Sequence, residues 1–159
     1  MKRIYIILCL LPGFFGYTMG QYEPVEEGNL SAFDIMQKNV EFREQIQYFR
    51  RNYDEYAVEQ TLMITEELKS MGNQIKTDAG RILDEESYAD KNEKIYVKTV
   101  NKQMGKVIRS LDKLEQYVRS QDYKRRSAAP GGHSQVETQY FHYISSALKK
   151  IHQAKKYIS

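Results

Sequence analysis

Residues 97–118, VKTVNKQMGKVIRSLDKLEQYV, set Val97, Val100, Met104, Val107, Leu111, Leu114 and Val118 at alternating steps of three and four. Such steps return each apolar side chain to one stripe of an α-helix, the pattern of a coiled-coil-like seam. A half-buried strand would need apolar side chains at every second position. No such alternation runs through the chain, so the expected class is all-α.

Helix starts lie outward from this seam. Ser31 with Asp34, Asp90 with Glu93 and Ser134 with Glu137 each place a capping side chain three residues before an acidic one. In that pattern the cap accepts from first-turn N–H groups and the acid reaches back to the cap. Three helices are predicted, over about 32–86, 91–120 and 135–158, with a connection at 121–134. The first carries Phe33, Met36, Val40, Ile46, Phe49, Tyr53, Tyr56, Ile64, Leu68, Met71, Ile75 and Ile82 at mostly helical spacing, with Gly72 and Gly80 as weak points. The third takes Val136, Tyr140, Tyr143, Ile144, Ala147, Leu148, Ile151, Ala154 and Ile158 on one face. Between them, QDYKRRSAAPGGH (121–133) joins a basic run to small residues and Pro-Gly-Gly, the composition of a mobile connection.

At 1.5 Å per residue the three helices would be about 80, 45 and 36 Å long. A second helix folding back from EESYADKN (85–92) would end beside residue 57. The most aromatic stretch, NVEFREQIQYFRRNYDEY (39–56), would then lie beyond its reach. Bare, it would form an apolar patch of the kind that marks an interaction surface. Three arrangements cover it: the third helix packs there, the first helix breaks near RNYDEY and folds back, or another protein or a second copy docks. The architecture expected is an elongated, antiparallel three-helix bundle with one long first helix. Its predicted contact residues are Phe42, Ile46, Phe49, Tyr53 and Tyr56.

The start of the chain reads as an export signal. Lys2 and Arg3 precede an apolar run from Ile4 to Leu11, and Thr18 and Gly20 occupy the −3 and −1 positions of a cleavage before Gln21. Pro12, Gly13 and Gly16 interrupt the run well short of the roughly 20 apolar residues of a membrane span. The only cysteine, Cys9, follows Leu8 where a lipid-anchor site would need a small residue, so it is read as part of the signal. The chain after residue 20 would hold no cysteine and rely on helix packing without disulfides. Residues 21–30 read as an extended lead-in.

Charge divides unevenly. Residues 21–90 hold 16 acidic and 7 basic side chains, a net of −9; residues 91–159 hold 5 and 15, a net of +10. An acidic first helix packed against basic later ones would cancel much of this inside one molecule. The sharper reading is a basic stripe for an acidic partner, formed by Lys94, Lys98, Lys102, Lys106, Arg109 and Lys113.

No catalytic constellation emerges. His133, His142 and His152 form no metal-ligand pattern, and His142 beside Ser145 or Ser146 lacks a third orienting group. Asp84, Glu85 and Glu86, like Glu66 and Glu67, are neighbours that point in different directions on a helix. Gly131 and Gly132 lack the Lys-Ser/Thr of a phosphate loop. No enzyme activity, cofactor, metal or small-molecule substrate is expected. Phosphate contacts from Lys124, Arg125, Arg126 and the closing KKIHQAKK, with Tyr140, Phe141 and Tyr143 as stacking rings, describe a nucleic-acid or other polyanion binder as the alternative. Export weighs against nucleic acid.

An export signal, the extended QYEPVEEGNLSAF, the Gln- and Tyr-bearing helix EFREQIQYFRRNYDEY and an antiparallel helical partner together resemble the minor pilin at the tip of conjugation (type IV secretion) pili. The resemblance implies envelope assembly or host-cell contact without catalysis, and assigns no residue a role. The function expected is an exported helical protein that binds a protein partner or itself.

Overall fold

Ser31 starts the first helix as expected. Its Oγ accepts from the Asp34 N–H at 3.2 Å, while the Asp34 carboxylate accepts from the Ser31 N–H at 2.8 Å and hydroxyl at 2.7 Å. Those hydrogen bonds from Ser31 hold the Asp34 carboxyl below its ordinary range. The computed structural model describes residues 30–120 and 135–158. Within them the chain forms α1 (Ala32–Arg51), a 3-10 turn (Tyr53–Glu55), α2 (Val58–Asp84), α3 (Lys91–Arg119), α4 (Gln135–Ala154) and a closing 3-10 turn (Lys155–Tyr157). The segments at 1–29 and 121–134, expected to be the signal, its lead-in and the connection, lie outside the described residues.

The single long helix expected over 32–86 is instead two. Asn52 ends α1, its Nδ2 donating to the Tyr48 carbonyl at 2.9 Å. Tyr56 and Ala57 are extended, and α2 restarts with the Gln60 Oε1 accepting from the Ala57 N–H at 3.0 Å. Only the returning half of a capping box is present, because Ala57 has no side-chain acceptor. Nor do the glycines break the helix, since α2 runs through both Gly72 and Gly80.

The α2–α3 turn closes on a Schellman pattern: the Ser87 N–H donates to the Ile82 carbonyl at 3.1 Å, with Glu86 at φ 53°. Asp90 then caps α3, accepting from the Asn92 and Glu93 N–H groups at 2.7 and 2.9 Å.

Four helices pack against each other, each antiparallel to its chain neighbour. Lys38 on α1 meets Asp78 on α2, Lys69 on α2 meets Glu115 on α3, and α4 returns along α1 with Tyr53 reaching Glu137. At 27 and 29 residues, α2 and α3 span about 40 Å, half the length predicted for the first helix alone. All seven residues of the α3 seam are buried, as the spacing required. Tyr96 sits fully buried beneath α1, and burial pushes its phenol up to about 12. Gly72 sits where α1, α2 and α3 meet: a Cβ there would lie 3.2 Å from Ile108, 3.4 Å from Met104 and 3.6 Å from Phe42.

Candidate functional site

The two surfaces predicted from the sequence have opposite outcomes. Phe42, Ile46, Phe49 and Tyr53 are 0 to 3 % exposed and belong to the core; Tyr56 is half-buried and stacks on Phe49 at 6.1 Å. Two of the three arrangements operate together: α1 ends near RNYDEY, and α4 packs along it. Phe141 of α4 makes edge contacts with Phe49 at 5.8 Å and Tyr53 at 5.1 Å, and the Tyr53 hydroxyl donates to the buried Glu137 carboxylate at 2.8 Å. The aromatic stretch is therefore not a free contact face, because the chain's own helix fills it.

The basic stripe stays at the surface with one exception. Lys94 turns onto Tyr88, donating to its hydroxyl and lying 4.6 Å from its ring centre. Lys98, Lys102, Lys106, Arg109 and Lys113 remain exposed.

Charge pairing also runs against the expected sense. Lys69 belongs to the acidic half, yet it reaches Glu115 at 2.6 Å and Asp112 at 3.0 Å, both in the basic half. Lys38 meets Asp78 at 2.7 Å, an ion pair formed wholly within the acidic half. None of the five exposed stripe cations has an ion pair with a described residue. The acidic α1 and α2 do pack against α3, as the cancellation reading expects, but the stripe cations take no part in close pairs across that contact.

A groove of about 270 Å³ lies between α3 and α4. Lys106, Arg109 and Lys113 line one wall and Lys150 the other, with Gln103, Ser110, Tyr143, Ser146 and Ala147 between them and no carboxylate in the lining. Helical spacing brings Lys106, Arg109 and Lys113 to one side of α3. The opposite wall exists because α4 turns Ile144, Ala147 and Ile151 inward, which leaves Tyr143, Ser146 and Lys150 outward.

Sequence reading placed Tyr143 on the buried face, but it is 49 % exposed, and Phe141 and Glu137 take the inward positions. Lys150 had appeared only within a basic closing run, and Gln103 and Ser146 carried no signal, since the groove needs the α3–α4 register. Gly105 is unusual in the same region: a Cβ there would lie 3.9 Å from the Arg109 guanidinium and 4.0 Å from the Lys76 ammonium, ordinary contact distances. The glycine thus sits between Arg109 and one further cation, Lys76.

The chemistry set aside above has these positions. His142 and His152 are exposed, and no hydrogen bond joins His142 to Ser145, which instead accepts from Arg50 at 3.4 Å, or to Ser146. Asp84, Glu85 and Glu86 lie exposed at the end of α2, while Glu66 meets Lys69 at 3.2 Å. Among the described residues no group of three or more His, Cys, Asp and Glu is placed to hold a metal ion, and no helix is long and apolar enough to cross a membrane. No protein-family model matches the chain, and no curated protein or solved structure does so.

Proposed function

We propose that this chain is an exported, non-enzymatic helical binding protein that meets an anionic partner through the cationic face of α3 and α4. The observation that carries this reading is the convergence of Lys106, Arg109, Lys113 and Lys150 on one groove without a carboxylate. Unpaired cations held together by a rigid fold repel one another, and an anion relieves that repulsion. Lys98 and Lys102 extend the face along α3. A homo-oligomer through the aromatic stretch is dropped, because those rings are already buried.

A nucleic-acid strand is the weaker fit within this class. Of Tyr140, Phe141 and Tyr143, only Tyr143 is exposed, so these three do not form the row of stacking rings that a single strand uses. An assembly role in the cell envelope, as the pilin resemblance implies, is compatible with such a face when the neighbouring subunit is acidic.

Retention on a heparin column tests the reading. Elution is expected to move to much lower salt in Lys106→Glu/Lys113→Glu, with the helical content of the chain unchanged. Retention that is independent of salt, or unmoved by the double substitution, would remove the basis for the proposal. Intact mass of the exported chain tests the export part, with a start at Gln21 expected.

A further inference from the structure

We infer that the α3–α4 groove is a specific site for a tetrahedral oxyanion, a sulfate or phosphate group, and the anchoring point within the broader cationic face. The inference rests on the proposed anion-binding function and adds a chemical identity to it. Its first support is the kind of donors that converge. Arg109 offers a planar fork, while Lys106, Lys113 and Lys150 offer point charges from both walls.

Neutral donors complete the set. The Tyr143 oxygen accepts from the Gln139 Nε2 at 2.7 Å, which leaves its own proton to donate elsewhere. Ser146 forms no hydrogen bond with a described residue, so its hydroxyl is also available. Ser110 is already committed, donating to the Lys106 carbonyl at 3.0 Å. Donors from two walls suit an anion whose oxygens point in several directions, where a planar carboxylate would use fewer of them.

The second support is independent of surface charge. Gln103 lines the same groove yet is only 7 % exposed, and its buried Oε1 finds no donor among the described residues. Its Nε2, which also has no partner among the described residues, is the less buried end of the carboxamide and already offers N–H donors to an anion in the groove.

Size points the same way. About 270 Å³ is below the range of sites that enclose a drug-sized ligand, and is ample for one charged group of a larger molecule.

The full chain titrated with sodium sulfate, inorganic phosphate and sodium acetate at matched ionic strength tests this, followed by amide NMR shifts of Tyr143, Ser146 and Arg109. Saturable shifts with sulfate or phosphate, at least tenfold tighter than with acetate, are expected. Arg109→Lys preserves the charge and should weaken sulfate about tenfold, while Arg81→Ala, an exposed cation of α2 outside both the stripe and the groove lining, should leave it unchanged. A sulfated disaccharide binding more tightly than free sulfate would assign the group to a larger ligand, and equal affinity would assign it to the free ion; either agrees with the inference.

Equal response to sulfate and acetate, or insensitivity to Arg109→Lys, would overturn it. If heparin retention still falls with salt in that case, the broader anion-binding reading survives alone. If retention is also absent, both fail.

Discussion

On helical spacing alone the aromatic stretch from Phe42 to Tyr56 is the first candidate surface and the basic stripe from Lys94 to Lys113 the second. One became core and the other stayed on the surface. The difference lies in what each side chain gains from a neighbour. A buried ring gains roughly in proportion to the apolar area removed from water, so any helix within reach will cover it. A lysine gains from burial only where a carboxylate is placed to receive it, as Lys69 finds with Glu115 and the stripe cations do not.

The contrast predicts opposite stability effects for similar truncations. Phe49→Ala should cost about 3–5 kcal/mol in a denaturant titration, because the ring touches Tyr53, Tyr56 and Phe141 and is 1 % exposed. If this residue were instead a docking surface for another protein, its removal would leave the midpoint of the isolated chain nearly unchanged. That result would restore the aromatic stretch as a contact face.

The glycines refine the same comparison. Gly72→Val forces a branched side chain against Ile108, Met104 and Phe42, and should destabilise by about 2–3 kcal/mol. Gly105→Ala meets only ordinary contacts and should stabilise by about 0.5–1 kcal/mol through reduced unfolded-state freedom and helix propensity. Thermal melts of the two variants should move in opposite directions.

The class and the α3 helix were legible because both rest on local period, and the seam from Val97 to Val118 keeps its step throughout. The break after Arg51 was legible only as an alternative. Its restart has an Ala at the cap position, and the Gln60 contact that stabilises it is one half of the usual pattern. The face of α4 was misplaced by one position in places, because Tyr140, Phe141 and Tyr143 give two competing apolar arcs and only the tertiary contacts with Phe49 and Tyr53 decide between them. The stripe on α3 was visible in sequence, but the groove was not. Its second wall depends on the register of α4 against α3, which no local pattern encodes.

Lys69 lies between the two extremes, a charged side chain with partners. Lys69→Met leaves Glu66, Asp112 and Glu115 facing one another and should cost about 1–2 kcal/mol at neutral pH. Its hydrogen bond with Lys69, helped by Arg119, holds the Glu115 carboxyl below its ordinary value of 4.5. A carboxyl whose pKa is lower in the folded state contributes stability above its unfolded pKa. That contribution is lost as pH falls through the folded value. The parent chain should therefore lose stability on acidification below about pH 4.5, and Lys69→Met should flatten that limb. An unchanged acid limb would show that the pair gives no net stabilisation.

The smallest effect is the most diagnostic. Lys106 lies one helical turn from both Lys102 and Arg109, has no ion-pair partner among the described residues, and faces the groove. Lys106→Ala removes two like-charge neighbours and installs the best helix former, so it should stabilise the chain by about 0.5 kcal/mol. The gain should shrink as salt is added, since salt already screens the repulsion in the parent. A fold that maintains such a lysine at a cost in stability fits a surface whose use is intermolecular. If Lys106→Ala instead destabilises the chain by a kilocalorie or more, the lysine has a structural partner, and the contrast between the paired core and the unpaired stripe would no longer hold at its centre.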